Sequence, residues 1–348
     1  MAVACVSDRF LRACRRQPVD LTPVWFMRQA GRYMPQYRAV RARHGLLEIC
    51  QNPERAAEVT ITAAEELGVD AAIIFADLLL PALPLGFHLH FNSGEGPVIE
   101  PVLRDRAAIA RLPESLHGEL GYVSEAIRRV AGHFSDTFPV IGFAGAPFTL
   151  ASYLIEGGAS RQFAHTKRMI FEDRGAWALL MQKLCPMLVE YLSEQVEAGA
   201  RAIQLFDSWV GALGEADFRH AVLPYNRLVI EAVQDLGVPV IYFSTGTSGY
   251  LGALRDTGAA VLGLDWRMEM SRAWSELRGG CALQGNLDPL RLFSPAAELK
   301  SAVRHLMAQS RGQTGYIFNL GHGILPETPV ENVKNVVNWV REFSASAL

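Results

Sequence analysis

The sequence predicts an α/β protein: a single (β/α)₈ TIM barrel over residues 1–348, with its active site at the C-terminal ends of the strands. Three observations carry this expectation. One local pattern recurs along the chain, an amphipathic segment, a glycine, and then a short apolar run that ends abruptly in polar residues. The stretches between the runs have helical period. No GxGxxG or GxxxxGK loop follows the first run, which counts against the competing doubly wound open sheet.

Taken in order, the apolar runs are "PVWFMRQ", "EELGVDAAIIFAD", "FPVIGFAGAP", "EAGARAIQLFDS", "DLGVPVIYFST", "DTGAAVLGLDW", "RGGCALQGN" and "QTGYIFNLGH", giving eight expected strands. Their near-continuous hydrophobicity suits parallel strands buried on both faces. Gly68, Gly199, Gly237, Gly258, Gly280 and Gly315 precede six of them, where left-handed helix caps are expected. Between them Leu180, Leu184, Leu188, Leu192 and Val196 recur every fourth residue, as do Tyr225, Val229 and Val233, which predicts helices. After the second run Phe87, Leu89 and Phe91 alternate with His88 and His90 ahead of a turn at "NSGEGP", which predicts a hairpin roofing one side of the barrel mouth.

Half of the 348 residues are hydrophobic and 20% are charged, enough to bury a large core and unlike a disordered chain. A net charge of -3 points away from nucleic acid and anionic membrane as partners. The N-terminus has no apolar stretch of signal-peptide length, and Cys5, Cys14, Cys50, Cys185 and Cys281 form no CxxC pair, so a cytoplasmic location is expected. Arginine supplies 29 of the 33 basic residues, and its planar fork grips carboxylates in bidentate fashion.

Barrel chemistry collects at the C-terminal strand ends. Those ends carry Arg28, Gln29 and Arg32; Asp77; Ala144 and Gly145, with Tyr153 soon after; Asp207 and Ser208; Ser244; Asp265 and Arg267; Gln284 and Asn286; and His322. Lys167, Lys183, Lys300 and Lys334 all fall in helical segments, so a Schiff base or pyridoxal phosphate anchor is not expected. Cys281 stands at the wrong end of its strand for a thiolate nucleophile or zinc ligand. A cationic rim around one apolar-flanked aspartate suits a polyanion with a hydrophobic centre, because charge-assisted hydrogen bonds contribute roughly 1.5–3 kcal/mol each.

The stretches "PVWFMRQAGRYMPQYR" and "GFAGAPFTLASYLIEGG" resemble two signature segments of the uroporphyrinogen decarboxylase family, and "IIFADLLLP", "LFDSWVG", "QGNLDP" and "FNLGHGILPETPVENV" resemble it in the same order over nearly the whole chain. The resemblance implies a cofactor-free barrel enzyme, usually a homodimer, that removes CO₂ from the four acetate arms of uroporphyrinogen III to leave the methyl groups of coproporphyrinogen III. It further implies that Asp77 accepts hydrogen bonds from pyrrole N–H groups and that Arg28 engages the reacting acetate. Arg32, Arg41 and His322 would hold carboxylates, Tyr153 and Ser208 would hydrogen-bond near the acetate, and Gln29 would assist through side chain or backbone. Ile73, Phe75, Phe143 and Phe206 would wall the macrocycle.

Plainer readings stand beside these. Asp77 is equally placed to cap the next helix, Ser208 to serve as an N-cap, His322 to be a turn residue and Tyr153 to be helix core. His88 and His90 share a strand face as in some metal sites, but no third ligand is evident. The alternatives for the whole chain are a zinc-dependent, corrinoid-linked methyltransferase sharing this barrel, and a non-catalytic tetrapyrrole-binding protein.

Overall fold

The computed structural model describes residues 8–92, 96–134 and 136–345, so Cys5 and the tip of the expected 92–97 turn lie outside the described residues. Among the described residues there are nine strands: β1 (Ala72–Ile73), β2 (His88–Asn92), β3 (Gly96–Glu100), β4 (Val140–Gly145), β5 (Ala200–Asp207), β6 (Val240–Ser244), β7 (Val261–Gly263), β8 (Ala282–Leu287) and β9 (Tyr316–Leu320). Seven of them form one parallel sheet in the order β1-β4-β5-β6-β7-β8-β9, with helices between. The expected hairpin is β2 paired antiparallel with β3, His88 opposite Glu100. The strand-end reading of the four lysines holds, because each lies in a helix.

The longest helix, Arg174–Glu197, buries Leu180, Leu184, Leu188 and Leu192 as one stripe. Helix Leu223–Gln234 buries Val229 and Val233. Gly68 ends its helix in the left-handed region at φ 65°, where a Cβ is costly. Gly280 does not play that part: the helix before β8 turns instead at Arg278 (φ 48°) and Gly279 (φ 69°).

The first expected strand is where the structure departs most from the sequence reading. Residues 23–27 make a single parallel bridge, Val24 to Phe318, and no regular strand. Phe318 N donates to Pro23 O at 2.9 Å and Trp25 N to Phe318 O at 3.4 Å. On the other flank Asp70 N donates to Val24 O at 2.8 Å. The remaining backbone donors go to side chains: Val24 N to Asp70 Oδ2 (2.8 Å), Phe26 N to Gln29 Oε1 (3.3 Å) and Met27 N to Asn319 Oδ1 (3.2 Å). Pro23 has no N–H to give, and carboxylate and amide oxygens take the bonds that a neighbouring strand would otherwise accept.

A similar substitution widens the sheet beside the site. β1 ends at Ile73, which pairs with Ile141, so the next edge groups of β4 belong to Phe143 and have no strand to meet. Gln195, fully buried, supplies the pair: Phe143 N donates to Gln195 Oε1 at 2.8 Å, and Gln195 Nε2 donates to Phe143 O at 3.0 Å. Gly142 makes this possible, since a methyl there would come within 2.5 Å of Gln195 Oε1 and 2.8 Å of Ile203 Cδ1. Gly142→Ala is expected to destabilise by about 1–3 kcal/mol, through overpacking and the unpairing of a buried backbone group. An unchanged denaturation midpoint would mean that the amide does not hold this edge.

Candidate active site

Most of the expected site residues lie at a strand end or on the segment that follows it, and Tyr153 lies on the helix Pro147–Glu156. After residues 23–27 the chain turns sharply at Arg28, whose φ of 57° is a left-handed conformation costing about 1–2 kcal/mol for a residue with a Cβ. Gln29 holds that turn from beneath: its side chain is buried, Oε1 accepts from Phe26 N, and Nε2 donates to Ala71 O at 3.3 Å. Its carbonyl accepts from the Tyr33 hydroxyl. The Gln29 amide is thereby committed to the protein backbone. Gly323 clears space for the Arg28 stem, since a methyl at that position would approach Arg28 Cδ to 2.5 Å.

The resulting cavity, about 440 Å³, opens at the C-terminal edge of the sheet. Its lining brings together Arg28, Gln29, Arg32, Ile73, Phe75, Asp77, Phe143, Tyr153, Phe206, Ser208 and His322. Arg41 does not line it; its guanidinium donates to His44 O, behind the cavity-lining Tyr37. The hairpin contributes Phe91, Gly96 and Pro97, so it does roof one side of the mouth.

The charged members of this lining are few. Among the described residues the Arg28 and Arg32 guanidinium groups have neither an ion pair nor a hydrogen-bond acceptor, and both are exposed to the opening. Asp77 faces them. Its Oδ1 accepts from Leu79 N at 2.9 Å and its carbonyl from Leu80 N at 3.2 Å, a local turn just before the 3₁₀ segment Leu80–Ala82, whose own N-cap, Leu79, has no side-chain cap. Its Oδ2 accepts no hydrogen bond among the described residues and is free for a ligand. Burial pushes the Asp77 carboxyl above its usual range, opposed by the Leu79 N–H and by Arg28.

The walls are aromatic. Phe143 meets Phe206 edge-on at 5.5 Å, Phe206 meets Phe243 at 5.9 Å, and Phe243 meets the His322 ring at 6.2 Å. Phe243 and Tyr37 are cavity residues absent from the sequence reading. A signal for Phe243 existed: it is the register partner of Phe206, so the two side chains share a face of the sheet. Ser244, Asp265, Arg267, Gln284 and Asn286, also strand-end candidates, are committed elsewhere. Ser244 bonds Thr247 (2.7 Å), Asn286 holds the carbonyls of Asp265 and Met268 (2.7 Å each), and Asp265 pairs with Arg267 (2.6 Å). Gln284 bridges Trp25 Nε1 (2.9 Å) to Gln204 (3.0 Å) in the buried interior.

His322 sits half-buried with Nδ1 accepting from Gly323 N at 2.8 Å. Burial, then the nearby Arg28 and Arg267, lowers its pKa to about 4 against the pull of Asp265. The ring is therefore neutral at pH 7, and with Nδ1 occupied its proton is on Nε2. It offers one hydrogen bond and no charge. Below its unfolded pKa of about 6.5, the unfolded chain takes up a proton that the folded ring refuses until about pH 4, so this group subtracts stability as pH falls through that window. An NMR titration should place His322 near pH 4. A midpoint above pH 7 would make it a cationic carboxylate ligand instead. The Tyr153 phenol, only 8% exposed, is pushed up to about 12 by burial and stays a proton donor.

A larger cleft of about 750 Å³ lies at the opposite end of the sheet, lined by residues 17–22, the segment before β9 and the final helix. Its mixed Asp20, Arg304, Arg311 and Glu342 lining offers no convergent charge, and it faces the N-terminal strand ends, where conserving the fold is the usual task. Among the described residues no helix is long and apolar enough to cross a membrane, and no group of three or more His, Cys, Asp or Glu side chains is placed to hold a metal ion.

Fold and cavity together define an α/β protein that binds a small molecule, with an anion-seeking mouth, an apolar wall and one desolvated carboxylate. Comparison with known proteins narrows the class. Residues 6–343 match the family model for uroporphyrinogen decarboxylase (URO-D). The chain is 54% identical over 344 residues to the uroporphyrinogen decarboxylase of Koribacter versatilis (strain Ellin345), covering 99% of this chain and 98% of the relative. It is 54% identical over 343 residues to that of Solibacter usitatus (strain Ellin6076), covering 99% of each. Among solved structures a methyltransferase from Methanosarcina mazei superposes with a TM-score of 0.78 at 20% identity, covering 97% of this chain and 98% of that one, which is a likeness of fold. The chain belongs to the uroporphyrinogen decarboxylase family.

Proposed function

We propose that this protein is a carboxy-lyase that removes CO₂ from the four acetate arms of uroporphyrinogen III, leaving the methyl groups of coproporphyrinogen III. The carrying observation is that Arg28, Arg32 and Asp77, three of the charged residues expected from the sequence, line a single aromatic-walled cavity, which Arg41 does not reach. Full-length relatives at 54% identity support the same reaction and disfavour the zinc methyltransferase alternative, for which the described residues supply no ligand group.

Loss of CO₂ breaks a C–C bond and leaves an electron pair on the methylene carbon. A pyrrole absorbs that pair once its ring carbon beside the arm has taken a proton, because the protonated ring is a cation. A second proton, delivered to the methylene carbon, gives the methyl group, and loss of the first restores the aromatic ring. The net change is one carboxylate and one proton in, one CO₂ and one methyl group out. Asp77 Oδ2 accepts from the pyrrole N–H groups, and its negative charge is worth most when the ring is cationic, which is the condition for lowering a barrier. Arg28 holds the reacting carboxylate out of the plane of the ring, so that the breaking C–C bond overlaps the ring π system, and Arg32 holds a second one further out. Tyr153 and Ser208 donate hydrogen bonds, and His322 adds a neutral Nε2–H. The apolar wall of Ile73, Phe75, Phe143 and Phe206 lowers the local dielectric and strengthens each of these contacts.

Two structural readings accompany this one. Residues 23–27, bonded to β9 on one flank and to Asp70 on the other, act as the eighth stave and close the barrel. Exposed Trp266, Leu290 and Phe293, on the loops after the neighbouring strands β7 and β8, supply an apolar patch for a second copy in a homodimer. A cytoplasmic setting belongs to the same reading. Anaerobic incubation with uroporphyrinogen III and chromatography of the products tests the activity. Products lacking one to four carboxyl groups are expected, and binding without any product would leave a tetrapyrrole carrier.

A further inference from the structure

Asp207 lies at the end of β5 between Phe206 and Ser208, which both line the cavity, yet its own side chain points away from it and is fully buried. Its oxygens are occupied by neutral donors. Thr149 Oγ1 donates to Oδ1 at 2.8 Å, while the Tyr242 hydroxyl (2.6 Å) and Asn226 Nδ2 (3.1 Å) donate to Oδ2. Asn226 Nδ2 also donates to the Tyr242 hydroxyl at 3.0 Å, so the donors are themselves tied together. Burial raises the Asp207 carboxyl, while Tyr242, Asn226 and Thr149 pull it down. An Asn in this place would offer one acceptor oxygen where three donors converge.

The knot reaches the cavity along two routes. Thr149 stands one turn before Tyr153 on the helix Pro147–Glu156, and its hydroxyl also accepts from Trp209 N at 3.3 Å. The Trp209 ring packs edge-on against Tyr153 at 5.8 Å. On the other side Thr245 Oγ1 donates to Ser208 O at 2.7 Å, and Gly211 lets the loops after β5 and β6 press together, since a methyl there would come within 2.1 Å of Thr245 O. Loop 208–213 is thus pinned from both neighbours, with Asp207 at the junction of β5, β6 and the helix that carries Tyr153.

We propose that Asp207 is a positioning residue for the decarboxylation site, fixing the spacing of the Tyr153 and Ser208 hydroxyls through Thr149 and Tyr242. The proposal rests on the reading that those two hydroxyls meet the reacting acetate. Because displacements of about 1 Å can cost roughly 10²-fold in rate, Asp207→Asn should lower kcat by about 10- to 10²-fold with KM moving by less than about threefold. A purely structural role would not confine the loss to kcat. In a Tyr153→Phe, Ser208→Ala background the same change should cost less than about threefold, because both contacts being positioned are already gone. Full kcat in Asp207→Asn, or an equal loss in both backgrounds, overturns the proposal.

Thr149→Val guards against misfolding of the aspartate variant. It keeps the side-chain volume near the original and deletes the hydroxyl, so lowered kcat with cooperative unfolding is expected and unchanged kcat overturns the proposal. Parental kcat in a Tyr153→Phe, Ser208→Ala double variant would strike the site reading itself, and this proposal with it. Loss in that double variant beside full activity in Asp207→Asn strikes the proposal alone.

Discussion

Asp77→Asn is expected to lower kcat by about 10³-fold while leaving the protein at least as stable as the parent. The two halves of this result have one cause. Burial holds the Asp77 carboxyl above its ordinary range, so the folded chain binds a proton there more tightly than the unfolded chain does. The stability associated with this group therefore falls as pH rises from the ordinary carboxylate range through the raised folded value. At neutral pH an ionised Asp77 is a cost to folding, offset in part by Leu79 N–H and Arg28, and a neutral amide of the same shape removes it. The local turn survives, because an Asn oxygen accepts from Leu79 N as well. What disappears is the negative charge beneath a cationic ring. Thermal unfolding together with anaerobic turnover checks both halves, and near-parental activity, or a clear loss of stability, would count against the assignment.

Truncating the two free arginines should separate binding from chemistry. Arg32→Ala is expected to raise KM by about 10- to 10²-fold, the loss of one or two charge-assisted bonds of roughly 1.5–3 kcal/mol, with kcat little changed. Arg28 should behave differently, since it faces Asp77 and the carboxylate that departs. Its loss should fall on kcat, by about 10²-fold or more, because an interaction that orients the scissile bond is felt mainly in the transition state. The backbone gives a clean way to make the change. At φ 57° an alanine would keep the strain and lose the contacts, whereas Arg28→Gly relaxes the turn and should stay within about 1 kcal/mol of the parent in stability. An unchanged KM with lost kcat in Arg32→Ala would make its role chemical; the converse in Arg28→Gly would make that residue a simple anchor.

How much of this was readable beforehand depends on which physical term set each feature. Seven of the eight apolar runs became strands of one parallel sheet because continuous hydrophobicity of that length has few other places to go. The first run differed because Asp70, Gln29 and Asn319, distant or out of phase in sequence, take over its ladder bonds. The clustering of Arg28, Arg32 and Asp77 was legible, since strand ends converge whatever the loops do. Phe243 is not marked by the polar residues that end each run; its signal is side-chain parity with Phe206 on the neighbouring strand. The neutrality of His322 could not be read at all: it follows from burial and from two arginines at other strand ends. Gln195, reaching Phe143 from a helix 52 residues away, likewise left no trace in local pattern.

The central claim is that the macrocycle sits over Asp77 with its carboxylates on the arginine rim. A crystal structure of the protein grown anaerobically with coproporphyrinogen tests it most directly. Pyrrole N–H groups within about 3 Å of Asp77 Oδ2, and a propionate on Arg28 or Arg32, are the expected result. Product lodged in the cleft beside Arg304 and Arg311, or in the C-terminal cavity with Asp77 turned away from the ring, would contradict it.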